Sequence, residues 1–264
     1  MTQPATNSLV NDPFSLHGTH ALVVGGTRGI GRAISLELAR AGAHVIANYV
    51  REKTGADELE KLAAQEQLAV ETLRADVSSD KGREELAAFL AERAPQLSTL
   101  VFAAATGVHK PFDGLSGRHF DFTFSLNVKA YLALVQALAP RMPEGGSIIA
   151  ISSEGALHAM HHYTLVGASK AALEALSRHL AIELGPRGLR VNVISPGTVL
   201  TDAWKALPDA QARLGEAAAR AANGRLVTAE EVARCARFLA SPASSGISGH
   251  VLAVDGGARI RGAG

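Results

Sequence analysis

Two features of the chain have the residue types and spacing needed to hold phosphate. The first is Gly25-Gly26-Thr27-Arg28-Gly29-Ile30-Gly31, which follows the apolar run 21–24 and leads directly into a segment of helical period. Glycines let the backbone turn sharply and approach a pyrophosphate, which then meets the free amides at the positive end of the helix. A glycine-rich stretch alone is weak; strand, turn and helix in this order are what the mechanism requires. The second feature is a pair of guanidiniums. The next apolar run ends at Asn48-Tyr49-Val50-Arg51, with no carboxylate there to accept bonds from a free ribose 2′-hydroxyl. Arg28 and Arg51 are instead suited to a 2′-phosphate, so NADPH is expected in preference to NADH. A third group, His158, His161 and His162, invites a metal reading. No carboxylate or cysteine is spaced to complete a ligand set, so these imidazoles are expected to line a substrate mouth or face solvent.

These groups must be positioned by elements that the hydropathy pattern makes legible. Short apolar runs at 21–24, 44–48, 70–74, 99–104, 147–152, 190–194 and 250–254 read as strands. Segments of helical period at 30–40, 56–67, 84–93, 122–139, 168–184 and 230–240 lie between them. Such alternation means crossover units and a parallel sheet covered on both faces. The expected fold is α/β, a Rossmann-type doubly wound sheet in a single domain over 19–264, preceded by a flexible tail over 1–18. Residues 196–224 break the rhythm with Trp204, Pro208 and a run of alanines. A long excursion after a strand's carboxyl end lies where such sheets bind ligands, so 198–224 is expected to form a small helical substrate lid.

Composition sets the outer limits. The chain has 264 residues, 47% of them hydrophobic and 19% charged, which excludes a disordered or fibrous chain. That length suits one sizeable core. A balance of 26 basic against 25 acidic side chains gives no nucleic-acid footprint. Cys235 is the single cysteine and closes no internal disulfide. No apolar run approaches the roughly 20 residues of a membrane span, and the first residues lack the pattern of a secretory signal; the expected location is the cytoplasm.

With these motifs in place, the chain resembles the short-chain dehydrogenase/reductase family over residues 20–260. The run from Val24 to Gly31 is similar to the family's Thr-Gly-x-x-x-Gly-x-Gly, with Val24 in place of the threonine. Asp76-Val77 resembles the pair that contacts adenine, and Asn127 the asparagine of the proton-relay tetrad. Pro196-Gly197-Thr198-Val199-Leu200-Thr201 is similar to the loop at the nicotinamide, and Val254-Asp255-Gly256-Gly257 to the closing strand. The resemblance implies a cofactor site made of Gly25, Thr27, Arg28, Gly29, Ile30, Gly31, Tyr49, Arg51, Asp76, Val77, Ala104, Lys170, Pro196, Gly197, Val199 and Thr201. It also implies a homotetramer built partly through the helix that carries Lys170.

Two departures sharpen the resemblance. Phe102-Ala103-Ala104-Ala105 stands where the family usually has Asn-Asn-Ala-Gly, so the amides that brace the fourth strand are absent. The family's acid tyrosine normally lies four residues before its lysine, yet that position is Val166; the nearest tyrosine, Tyr163, is seven before Lys170. This Tyr-x6-Lys spacing resembles the enoyl-thioester reductases, the enoyl-acyl-carrier-protein reductase III type above all. Ala104-Ala105-Thr106-Gly107-Val108, Ile151-Ser152-Ser153, the run from Lys170 to Leu176 and Thr201-Asp202-Ala203 extend the likeness. It implies NADPH-dependent reduction of the 2,3 double bond of an acyl thioester in fatty-acid or polyketide assembly, the acyl group carried on coenzyme A or an acyl carrier protein. Lys170 would hold the nicotinamide ribose hydroxyls and lower the pKa of Tyr163 through proximity. Tyr163 would donate a hydrogen bond or proton to the enolate oxygen, with Ser153 assisting and Asn127 holding a helix kink or a water.

The spacing suits that chemistry. Positions seven apart on a helix fall nearly on one face but roughly 10 Å apart along the axis, so Tyr163 is expected just before the helix begins. In conjugate reduction the hydride goes to the β-carbon while charge develops on the thioester oxygen, three bonds away. A displaced phenol could stabilise that oxygen. Two alternatives stand beside this reading: a carbonyl reductase that uses Tyr163 unconventionally, and a catalytically silent NADP-binding protein. An acidic carrier protein would need a local basic patch, for which Arg187, Arg190, Arg213, Arg220 and Arg225 are the available side chains.

Overall fold

The polypeptide alternates strand and helix almost throughout, and in the computed structural model, which describes residues 12–201 and 210–260, every strand is parallel to its neighbours. In chain order the elements are β1 (His20–Val24), α1 (Gly29–Arg40), β2 (His44–Tyr49), α2 (Lys53–Gln65), β3 (Val70–Arg74), α3 (Asp80–Arg93), β4 (Thr99–Phe102), α4 (Gly117–Phe124), α5 (Tyr131–Leu138), β5 (Ser147–Ile151), α6 (Thr164–Leu184), β6 (Arg190–Pro196), α7 (Ala210–Arg220), α8 (Ala229–Ala240) and β7 (Val251–Val254). The sheet order is β3-β2-β1-β4-β5-β6-β7. The order reverses between β1 and β4, and the crevice above their carboxyl ends is where an open α/β sheet takes its ligand.

Two-residue periodicity in the strands sorts the core into two layers. Leu22, Val24, Leu100, Phe102, Ile148, Ala150, Val191 and Val193 face the layer that includes Leu86, Leu90, Tyr131, Leu134 and Leu173 of α3, α5 and α6. Ala21, Val23, Val101, Ile149, Ile151 and Ile194 face the layer of Ile34, Leu38, Val232, Ala236 and Leu239 from α1 and α8. Both strand faces are apolar because both are covered, which is why the strands read as continuous apolar runs.

Two expectations change, and a third is described only in part. The helix read over 122–139 belongs to a longer rod, Gly117–Arg141, interrupted by a π-helical segment at Ser125–Ala130. By length and composition that rod could cross a membrane, but Asn127, Tyr131, Leu134 and Leu138 on it are buried in the protein. The amino-terminal segment is not a free tail to residue 18. Leu16 is 3% exposed, its amide donates to Ala41 O, and Pro13 O accepts from the Ala243 amide. Of the expected lid, α7 and the strand-like bridge Val199–Val227 are described, while Trp204 and Pro208 lie outside the described residues.

Arg190 corrects the basic-patch reading. It opens β6 at 7% exposure, and its guanidinium donates to Leu239 O, Ser241 O, Ser244 O and Ser244 Oγ. Burial pulls its pKa down. The side chain fastens β6 to the end of α8 and cannot face a partner. Arg190→Ala strands several buried carbonyls, and a loss of about 2–4 kcal/mol is expected. Urea unfolding monitored by circular dichroism checks this; a midpoint equal to that of the parent protein would remove the buried network from the stability of the fold.

Candidate active site

The glycine turn is shaped by contacts that leave no space for side chains. Gly25 has φ +76° and Gly29 φ +51°, both in the left-handed region that favours glycine. A Cβ on Gly25 would lie 2.8 Å from Ala104 N, and one on Gly31 would run into Gly25 O. Arg28 occupies the N-cap of α1 without a side-chain capping bond, so no side chain of the cap covers the first amides of the helix. A close backbone cradle beneath open helix amides fits a dinucleotide pyrophosphate, and Gly25, Thr27, Gly29, Ile30, Gly31 and Ala104 all belong to it. Thr201 joins them, its Cγ2 lying 3.5 Å from where a Gly29 Cβ would stand.

Asn48 braces the glycine turn against the end of β3, a role the sequence reading did not assign. It is fully buried at the end of β2, its carbonyl accepts from the amides of Gly25 and Gly26, and its Nδ2 donates to Leu73 O and Ala75 O. A polar residue inside an apolar run was the available signal. Tyr49 is half-buried beside it, and Arg51 is exposed. Arg28 is also exposed, 3.4 Å from Glu52 Oε1. So far in solvent that pair is weak and leaves the guanidinium available, but Glu52 also puts an acid beside the two arginines, where the sequence reading stopped at residue 51. Asp76 turns its carboxylate onto the Ser78 amide and hydroxyl, and the Val77 side chain is buried in the core. Val77 can therefore meet a nucleotide only through its backbone.

The reactive side chains converge on the carboxyl end of β5. Lys170 is 4% exposed, and its ammonium donates to Ile151 O at 2.7 Å. Burial pushes its pKa down to about 8, with Glu174 opposing. Its two remaining N–H donors are those a ribose diol would use. Tyr163 is the N-cap residue of α6, immediately before the helix as the spacing requires, and its hydroxyl donates to Ser153 Oγ at 3.2 Å. Ser153 Oγ also accepts from the Gly155 amide, so this serine both caps a turn and touches the phenol. Burial raises the Tyr163 pKa, the Ser153 bond lowers it and Glu154 raises it further. The expectation that Lys170 lowers it therefore fails: burial outweighs the Ser153 bond, and the charge acting on the phenol is a carboxylate. At neutral pH Tyr163 is a protonated donor.

Other predicted residues take supporting places. Asn127 is fully buried within the π-helical segment; its Oδ1 accepts from Thr106 N, and its Nδ2 donates to Thr106 O and Ser169 Oγ, each at 2.9 Å. It ties the chain beyond β4 to α6, where the usual asparagine pair is missing. Pro196 ends β6, the Gly197 amide donates to Val254 O, and Val199 pairs with Val227. A Cβ on Gly197 would lie 3.0 Å from Asp255, whose carboxylate is held by Arg259 at 2.7 Å. Val166, at the usual tyrosine position, is buried, and a Cβ on Gly107 would collide with it. His109 was not foreseen; its ring lies 5.4 Å from that of Tyr163. His158, His161 and His162 are exposed in the preceding segment, and among the described residues no group of three potential ligands is placed to hold a metal. Of the other arginines considered for a basic patch, Arg187 donates to Ala139 O, while Arg220 and Arg225 line one cavity, Arg225 paired with Glu231 and Arg220 near Glu154; the Arg213 side chain lies outside what is described.

Comparison with known proteins agrees with this geometry. A family profile described as "Enoyl-(Acyl carrier protein) reductase" matches residues 24–259. The chain belongs to the short-chain dehydrogenase/reductase family. It is 34% identical to the 7alpha-hydroxysteroid dehydrogenase of Escherichia coli K12 over 254 residues, covering 94% of this chain and 96% of that one. It is 32% identical to the 1-cyclohexenylcarbonyl-CoA reductase of Streptomyces collinus over 249 residues, 91% and 86% of the two chains. A short chain dehydrogenase from Burkholderia cenocepacia J2315, solved in complex with NADP, superposes with a TM-score of 0.85 at 33% identity, over 92% of this chain and 99% of that one. The protein is thus a short-chain oxidoreductase with a nicotinamide-dinucleotide site.

Two glycines make room for the displaced phenol. A Cβ on Gly155 would strike the Tyr163 ring, and one on Gly167 would lie 3.4 Å from Tyr163 Cδ1 and 2.6 Å from Gly155 O. Gly155→Ala should therefore push the ring off Ser153 without touching the glycine cradle. A loss of turnover of about tenfold or more is expected, with NADPH affinity within about twofold, since misplacing a reacting group is costly. Cofactor fluorescence titration and steady-state rates check it, and unchanged turnover would show that the seat of the phenol is not needed.

Proposed function

We propose that the protein is an NADPH-dependent reductase of the 2,3 double bond of enoyl thioesters, of the kind used in fatty-acid or polyketide assembly. One observation carries the reading: Tyr163, and not the residue four before Lys170, presents its hydroxyl at the end of β5. Lys170 is anchored on Ile151 O and Tyr163 on Ser153, two residues further on, while the four-before position is a buried valine. Two residues of extended chain span roughly 6.6 Å, so ammonium and phenol are set apart along the strand end. That separation suits a reaction in which the reduced carbon and the oxygen gathering charge are three bonds apart.

The nicotinamide, when bound, supplies the hydride. Lys170 holds the ribose end of the cofactor with the donors left free by Ile151. Tyr163 donates to the thioester oxygen as charge develops there, and its raised pKa keeps the proton on the phenol until it is needed. Ser153 fixes the phenol's direction. Val166 is buried against Gly107, so no hydroxyl stands where a ketoreductase has its acid. Arg28 and Arg51 favour the 2′-phosphate of NADPH.

A second reading keeps the same residues. The Tyr163–Ser153 hydrogen bond also places two hydroxyls together, as polarising a ketone oxygen requires, and relatives include a hydroxysteroid dehydrogenase. Initial rates with crotonyl-coenzyme A, its carrier-protein ester, a β-ketoacyl thioester and cyclic ketones, each with NADPH and NADH, separate the two. Enoyl thioester with NADPH is expected to turn over fastest, and Tyr163→Phe should cut that rate about a hundredfold with little change in NADPH affinity. Turnover confined to ketones would discard the enoyl assignment, and faster turnover with NADH would discard the arginine reading.

Self-association through α4 and α6 is part of the proposal. Ile182 on α6 is 80% exposed, and Phe120 and Phe122 on the adjoining α4 are exposed as well. Large apolar side chains exposed on neighbouring helices suit contact with further copies of the chain. Sedimentation velocity should show a tetramer that Ile182→Glu converts to smaller species; a monomeric parent protein would end this part of the proposal.

A further inference from the structure

Glu154 follows the serine pair at the end of β5 and opens the short turn that Ser153 caps. Its side chain is only 14% exposed and meets two further elements. Thr198 Oγ1, in the loop after β6, donates to Glu154 Oε1 at 3.4 Å, and Arg220 Nη2, at the end of α7, lies 3.9 Å from the same oxygen. The three residues line a cavity of about 10 Å³, together with Ala217, Val227 and Asp255. That is space for one water centre among polar groups, and both contacts are long enough for a water to be shared. A largely buried carboxylate is costly without partners, and among the described residues the side chains of Thr198 and Arg220 serve.

We propose that Glu154 is a positioning residue: it ties α7 and the Thr198 loop to the turn that carries Ser153, so that the docking of α7 is felt at Tyr163. The catalytic use of this device rests on the function proposed above; the coupling itself does not. With α7 docked, Arg220 offsets the carboxylate. With α7 undocked, the carboxylate acts on the phenol alone and holds its proton more firmly. Docking the helix over a bound substrate therefore makes Tyr163 a readier acid.

Among the described residues, the other charged groups near the pair are engaged elsewhere. Lys170 is bonded to Ile151 O, Arg225 is paired with Glu231, and Asp255 with Arg259. Burial lowers the pKa of His109, leaving that ring neutral where a phenol titrates.

Tyrosinate absorbance of the full chain tests the coupling without any substrate. The chain has three tyrosines, Tyr49, Tyr131 and Tyr163. Burial pushes Tyr131 up to about 12, and the transition that Tyr163→Phe removes is that of Tyr163. Glu154→Gln should move that transition down by about half a pH unit, and Arg220→Met should move it up by a similar amount. Arg220 is exposed, so its variant keeps the test open if Glu154→Gln folds poorly. On the most active substrate of the panel, the alkaline limb of kcat/KM should move in the same two directions, and KM should rise about tenfold in each variant. Shifts of the same sign, or none in either variant, would overturn the proposal. Opposed shifts in a protein inactive on enoyl thioesters would retain the coupling while discarding that substrate.

Discussion

The hydrogen bond from the Lys170 ammonium to Ile151 O is the interaction around which the active region is organised. An amine buried to this degree needs an acceptor, and the last carbonyl of β5 is the acceptor within reach. The bond seats α6 against the central sheet at the point where the strand hands the chain to Ser152 and Ser153. Ser152 then bonds Glu174, one helical turn beyond Lys170, giving the ammonium a nearby counter-charge that opposes its loss of basicity. With α6 seated, its amino end delivers Tyr163 to Ser153. Lys170 and Tyr163 are thus held by one strand terminus and one helix.

A second restraint works from the other face of that helix. Asn127 clamps the chain beyond β4 by bonding both backbone groups of Thr106, and reaches Ser169, the residue before Lys170. The π-helical segment at Ser125–Ala130 breaks the regular bonding of a long helix where this asparagine sits, as such segments often do at functional sites. The chain lacks the asparagine pair usual at the end of β4, and Asn127 secures the backbone there instead. The backbone at Ala104 comes so close to residue 25 that only glycine fits there.

Much of this was legible in the residues because it rests on local rules. The strand–glycine–helix order locates the cradle, and two-sided burial explains the apolar strand runs. The seven-residue gap between Tyr163 and Lys170 puts the phenol before the helix, where it stands. What was not legible depends on partners distant in sequence. Arg190 looks like a surface cation until the carbonyls at residues 239, 241 and 244 are seen around it. Glu154 gains meaning only through Thr198 and Arg220, and Asn48 only through β3 and the glycine turn. Helix limits also shifted: the reading of α6 began at 168, but the helix starts at Thr164, and buried Val166 and Gly167 extend its covered face.

The division of proton affinity between Tyr163 and Lys170 follows from the same placement. Where a lysine lies close to a phenol, its charge makes the phenol easier to ionise. Here Lys170 spends one donor on Ile151 and is separated from Tyr163 by two turns of helix, so burial and the neighbouring carboxylate set the phenol's affinity instead. Such a phenol is a poor base and a steady donor through the neutral range. For reduction of a conjugated thioester, steadiness is an advantage: the charge to be met is spread over an enolate, and a preorganised donor stabilises it without transferring its proton early. Reversing the reaction on an alcohol would ask Tyr163 to act as a base, which burial opposes. At neutral pH the site therefore presents its phenol as a donor and not as a base.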